Sequence, residues 1–226
     1  AGIVKPEYQI RALPRDFGDD VAAVLSRNAE GRRLLSALSD FGGVVRLPRF
    51  FIGKLDNASG ISLAPLNGVI IDIDRLQNGS SNADFFSDRA LRRTMIQNAD
   101  DLMFHELFHA AQFRKALLPH QLEHFPHQAF TYLTLEMEYE AHIAEQLYLH
   151  EKLRADPHAS GDAADYMRFL NEFDDWLAGI DRSKTYERFV HVESEYYAGV
   201  IAKTRAMLPR LREESAPWLR LREQGL

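Results

Sequence analysis

Apolar residues first recur at helical spacing in "GDDVAAVLSRNAEGRRLLSALSDFGG", as Val21, Val24 and Leu25 and then Leu34, Leu35 and Leu38, before the run closes on Gly42 and Gly43. That spacing predicts two short helices. The period then changes. "VVRLPRFFIG", "GISLAP" and "NGVIIDID" are short β-branched or aromatic runs bounded by Gly, Asn and Pro, with Asp56-Asn57 and Asn67-Gly68 as turn signals. They predict a small sheet of about three strands. Beyond "QNGSSNADFFSD" the helical period returns, with Ser87 as the expected cap of one long helix through "DRALRRTMIQNADDLMFHELFHAAQFRKA". After the loop "LLPHQLEHFPHQ", a second long helix is expected over "AFTYLTLEMEYEAHIAEQLYLHEKLRA". Three more follow, over "AADYMRFLNEFDDWLAGI", "TYERFVHVESEYYAGVIAKTRAM" and "PRLREESAPWLRLRE". The expected class is α+β: one domain with a small antiparallel or mixed N-terminal sheet in about 1–80 and a helical majority in about 81–226.

Composition narrows the partners. The 226 residues are 46% hydrophobic and 27% charged, enough for a sizeable core. A net charge of -6 gives no basic field for a nucleic-acid backbone, and no apolar run reaches membrane-spanning length, so neither nucleic acid nor membrane is expected. With no cysteine there is no disulfide framework, thiolate metal site or cysteine nucleophile, which suits a reducing compartment. The chain begins "AGIVKPEYQI", without an initiating methionine or an apolar signal, so removal of an upstream segment is expected. Compartment, cytoplasmic or exported, and oligomeric state stay open.

Within "DLMFHELFHAAQF", residues 101–113, three ionisable groups interrupt an apolar run. His105 and His109 are four residues apart, so their imidazoles leave a helix on one face and can meet at one cation. Glu106, about 100° further round, can reach a metal-activated water without taking a ligand position. This is the H-E-x-x-H pattern. Because apolar residues surround almost the whole circumference, the helix is expected to be buried, where unpaired charge is costly and a divalent metal would relieve it. The bland alternative is a pair of core histidines bonded to carbonyls.

A catalytic zinc takes three protein ligands and leaves the fourth position open. Gln112 and Lys115 stand where an extended motif would have glycine and histidine, so the third ligand must come from elsewhere. "LEMEYEAHIAEQL" offers Glu136, Glu138, Glu140, His142 and Glu145. On a helical wheel Glu140 shares the expected inward face with Met137, Ala141, Ala144 and Leu147, so it is the first choice. Glu138, beside His142 and Glu145, is the second.

These two segments resemble the gluzincin branch of the zincin metallopeptidases, in which H-E-x-x-H on one helix is completed by a glutamate on a following helix. Thermolysin-like members place that glutamate before alanine, as in Glu140-Ala141. The chain is also similar to bacterial metallopeptidase domains of unknown substrate. The resemblance covers about residues 68–148 and implies Zn²⁺, a peptide or protein substrate, and "NGVIIDID" as an edge strand to which an extended peptide adds. It departs at Ala144, where thermolysin-like chains carry an aspartate that supports a ligand histidine. The expected reaction is peptide hydrolysis by a metal-activated water, with Glu106 as general base.

No motif marks the group that stabilises the developing oxyanion; "HVESEYYAGV" supplies His191, Tyr196 and Tyr197 as candidates. Asp101, one turn before His105, either orients that imidazole or caps the helix. His120, His124 and His127 read as a solvated loop, and the mixed-charge C-terminal segment as an amphipathic helix docked through Trp218 and Leu219. A di-iron bundle needs E-x-x-H twice, and Glu106–His109 is its only occurrence. The other alternative is an inactive zincin-fold interaction protein, against which the retention of Glu106 argues.

Overall fold

The structure, a computed structural model, describes residues 10–40, 42–55, 58–63, 67–74, 88–116, 134–183, 186 and 195–223, the side chains of 115, 116 and 223 excepted. Contacts gather the chain into two compact units, 1–131 and 132–226. The helices after the sheet pack on it and on the first two helices, so they belong to the first unit. The α+β class stands.

In the first unit, α1 (Asp16–Leu25) and α2 (Ala29–Ala37) form where the apolar spacing places them. Asn28 caps α2 by accepting from Gly31 N at 2.8 Å. The sheet has four strands rather than three: β1 (Arg11–Ala12), β2 (Arg49–Gly53), β3 (Gly60–Leu63) and β4 (Gly68–Asp72), in the order β1-β2-β4-β3. β2 and β4 are parallel, with Arg49 opposite Gly68; β1–β2 and β3–β4 are antiparallel, with Gly60 opposite Ile71. Asn67, at φ 45°, makes the left-handed turn into β4.

The expectation that "NGVIIDID" is an edge strand is corrected. β4 is buried along its whole length between β2 and β3, as its unbroken apolar run requires, and among the described residues β3 forms the edge. Asp72 N–H donates to Ser59 O at 2.8 Å. By alternation Ile61 and Leu63 then bond to β4, which turns the backbone N–H and C=O of Gly60 and Ser62 away from it.

The expected long helix from Ser87 is two helices, α3 (Arg89–Asn98) and α4 (Asp100–Ala116), separated at Ala99 (φ -132°, ψ 25°). The cap of α3 is Asp88, which accepts from Leu91 N at 3.0 Å; Ser87 lies outside the described residues. Asp100 and Asp101 restart the helix. Their carboxylates accept from the first-turn N–H groups of Asp101 (3.0 Å) and Leu102 (2.8 Å), and their charge suits the positive end of the helix. An ion-pair network ties α3 to α1. Buried Asp20 takes Arg89 (Nε 3.0 Å, Nη2 2.9 Å) and Arg93 (2.8 Å), and Arg92 reaches Asp16 at 3.1 Å.

The second unit is helical: α5 (Leu135–Ala155), capped by Thr134, α6 (Ala163–Asn171), capped by Asp162, α7 (Phe173–Asp181) and α8 (Glu195–Glu223). α6 and α7 were expected as one helix. The chain leaves helical geometry at Glu172 (φ -130°, ψ 41°), so that Phe169 and Trp176 meet edge to face at 5.1 Å inside one aromatic cluster. Conversely, the two C-terminal helices expected to meet near Pro209 are one. α8 runs through Pro209 and Pro217, although an interior proline costs about 3 kcal/mol. Burial of Leu208, Leu211 and Trp218 offsets that cost. No helix among the described residues is long and apolar enough to cross a membrane.

Candidate metal centre

The histidine pair sits where α4 is most enclosed. Met103, Phe104, Leu107, Ala110 and Ala111 are buried around it, and His105, Glu106 and His109 are themselves only 7%, 5% and 1% exposed. One helical turn brings the two imidazoles together, Nε2 to Nε2 at 3.1 Å, with ring planes 82° apart. Two nitrogens bound to one tetrahedral zinc stand about 3.3 Å apart, so the pair fits that ion with almost no movement.

His109 Nδ1 lies 2.8 Å from Gln112 Oε1. A carbonyl oxygen only accepts, so Nδ1 carries the proton and the Nε2 lone pair is directed at His105. Gln112 thus supplies the support that Ala144 does not. In the sequence Gln112 stands out only as a departure from a longer motif. Its i+3 spacing from His109 was the available signal.

Glu106 projects toward the edge strand. Gly60 comes so close that a β-carbon there would stand 2.7 Å from Glu106 Oε1. Ser62, two residues along and therefore on the same face of β3, is buried, and its hydroxyl has no hydrogen-bond partner among the described residues.

His105 and His109 on α4 form a buried pair able to bind one metal ion, and Glu138 is a buried carboxylate on α5 of the second unit. Glu138 is 2% exposed whereas Met137, Glu140, Ala144 and Leu147 are only half-buried, so the face that the helical wheel offered as inward is not the more buried one. α5 is covered on most sides, so apolar spacing singles out no inward face. Glu140 instead accepts a hydrogen bond from the Tyr196 hydroxyl.

The ring of Tyr196 is exposed, but its hydroxyl end is tucked against Glu140, and loss of water together with that carboxylate raises its pKa. Burial, then the charges of Glu140 and Glu136, push Tyr197 up to about 12. Both phenols therefore remain protonated donors at neutral pH. His142 contacts Glu145 (3.2 Å) and the Tyr186 hydroxyl (3.0 Å) and packs edge-on against Trp176. Asp101 caps α4. His191 and the loop histidines His120, His124 and His127 lie outside the described residues. No protein-family profile, curated protein or solved structure matches this chain, so the chemistry of the centre is argued from its own residues.

Proposed function

We propose that this protein is a zinc-dependent metallopeptidase, with His105, His109 and Glu138 as ligands and Glu106 as general base. The observation that carries the reading is the buried pair of Nε2 atoms 3.1 Å apart, with a buried carboxylate at the intervening position 106. A core pair of histidines needs no such carboxylate.

A zinc ion held there supplies Lewis acidity, which makes a water acidic near neutral pH and polarises a carbonyl. Glu106 takes one proton of that water as its oxygen attacks the scissile carbonyl carbon. When the C–N bond breaks, Glu106 returns the proton to the departing amine and is again a carboxylate. One water is consumed, and one carboxylic acid and one amine are released. Gln112 holds the His109 ring in the tautomer whose Nε2 lone pair would bind the metal. Tyr196 and Tyr197 are the candidate donors to the developing oxyanion, as protonated phenols. The outward backbone groups of Gly60 and Ser62 suit an extended peptide that adds to β3, which replaces β4 as the expected docking strand.

The test is cleavage of a quenched fluorescent peptide library by zinc-loaded protein and by Glu106→Gln. Turnover by the wild type, lost by at least a hundredfold in Glu106→Gln with zinc retained, supports the reading. Equal cleavage by both proteins would contradict it.

A further inference from the structure

We propose that Gly60 is the positioning residue for Glu106: the missing side chain at the start of β3 is the space in which the carboxylate is held. The inference rests on the metallopeptidase reading and extends it to a residue outside the motif.

A β-carbon on Gly60 would meet Glu106 at three atoms, Oε1 at 2.7 Å, Cγ at 2.8 Å and Cδ at 2.9 Å. All are closer than real β-carbon contacts, and all belong to one side chain. Neither backbone can easily give way. β3 is pinned by its register with β4, and α4 by fully enclosed Met103, Phe104 and Leu107. The group that must move is therefore the Glu106 side chain.

The backbone of Gly60 does not itself call for glycine. The described glycines with positive φ are Gly43 and Gly161, and glycine at a strand position otherwise weakens pairing. Its use here is explained by close approach. With Glu106 only 5% exposed, the carboxylate has one seat, walled on one side by the α-carbon of Gly60. A misplacement of about 1 Å is enough to cost on the order of a hundredfold in a step that depends on geometry. Alanine at position 60 is thus expected to leave the fold and the histidine pair in place while displacing the base.

The experiment titrates zinc-loaded protein with acetohydroxamate, which chelates zinc and passes a proton to a neighbouring carboxylate as it binds. Gly60→Ala is expected to retain one zinc per chain yet bind acetohydroxamate at least tenfold more weakly, as Glu106→Gln does. The double variant should bind no more weakly than Glu106→Gln alone, because both changes remove the same interaction. Zinc-loaded Gly60→Ala binding like wild type, or fully additive losses, overturns the inference while leaving the metallopeptidase reading intact. Wild type that takes up no zinc overturns both. If Gly60→Ala does not fold, Gly60→Ala in a Glu106→Ala background decides. Recovery of a melting temperature close to that of Glu106→Ala supports the steric pairing, and failure to fold shows that something other than Glu106 requires the glycine.

Discussion

Gln112→Ala removes the polar contact at His109 Nδ1 that selects its tautomer, and its effect divides into two measurable parts. Without Oε1 at 2.8 Å, the Nδ1–H of a residue only 1% exposed loses its acceptor. An unsatisfied buried donor costs about 1–3 kcal/mol, which lowers the stability of the metal-free protein. That part is common to the metal-free and metal-bound forms and cancels in binding. What does not cancel is the loss of tautomer selection and of charge donated to the imidazole when it serves as a ligand. Loss of such a supporting partner weakens metal affinity by about 10–100-fold, or about 1.4–2.8 kcal/mol. Competition with a chromophoric chelator measures the zinc affinity, and thermal melting of the metal-free protein measures the first part. Gln112→Glu keeps an acceptor at the position and should hold zinc at least as tightly as wild type. A Gln112→Ala protein with wild-type zinc affinity would refute the assignment of Gln112 as the support of a metal ligand, whatever its melting temperature.

Two further outcomes are expected. Hydrogen bonds and the charges of Arg89 and Arg93 lower the Asp20 pKa below its ordinary 3.8, Arg89 contributing most. The unfolded chain therefore binds the proton first, and the stabilisation from Asp20 is present above that value and lost as pH falls through the lowered folded pKa. Asp20→Asn should flatten the acid limb of a stability–pH curve measured by urea unfolding; an unchanged limb would show that the network does not contribute. In the second unit, the fully buried Tyr166 hydroxyl lies 2.6 Å from His150 Nδ1 and 2.8 Å from Ser215 Oγ. Tyr166→Phe leaves both groups short of a partner and should cost about 1–3 kcal/mol. Urea unfolding with no change in midpoint would contradict it.

The parts of the fold that were legible in the sequence are those set by local spacing. α1 and α2 follow from apolar periodicity, and the His105–His109 pair follows from one turn of a helix. What was missed depends on neighbours distant in sequence. The apolar run of β4 marks burial, but whether a strand is central or at an edge depends on which strands join it. The breaks at Ala99 and Glu172 carry neither glycine nor proline; they arise where Asp100 and Asp101 restart a helix and where Phe169 and Trp176 must pack together. Pro209 signals a break that the burial of Leu208, Leu211 and Trp218 overrides. Periodicity could not rank the glutamates of α5, because a helix covered on most sides has no unique inward face. The approach of Gly60 to Glu106 joins β3 to α4 and leaves no local trace.

The most direct measurement is the metal content of purified wild type beside His109→Ala, Glu138→Gln and Glu140→Gln, by elemental analysis after loosely bound ions are removed. About one zinc per chain in wild type and Glu140→Gln, with the metal lost from His109→Ala and Glu138→Gln, is expected for the centre described. Wild type that holds no metal after zinc is supplied would make His105 and His109 core residues and remove the metallopeptidase reading. Zinc lost with Glu140→Gln but kept in Glu138→Gln would instead return the third ligand to Glu140.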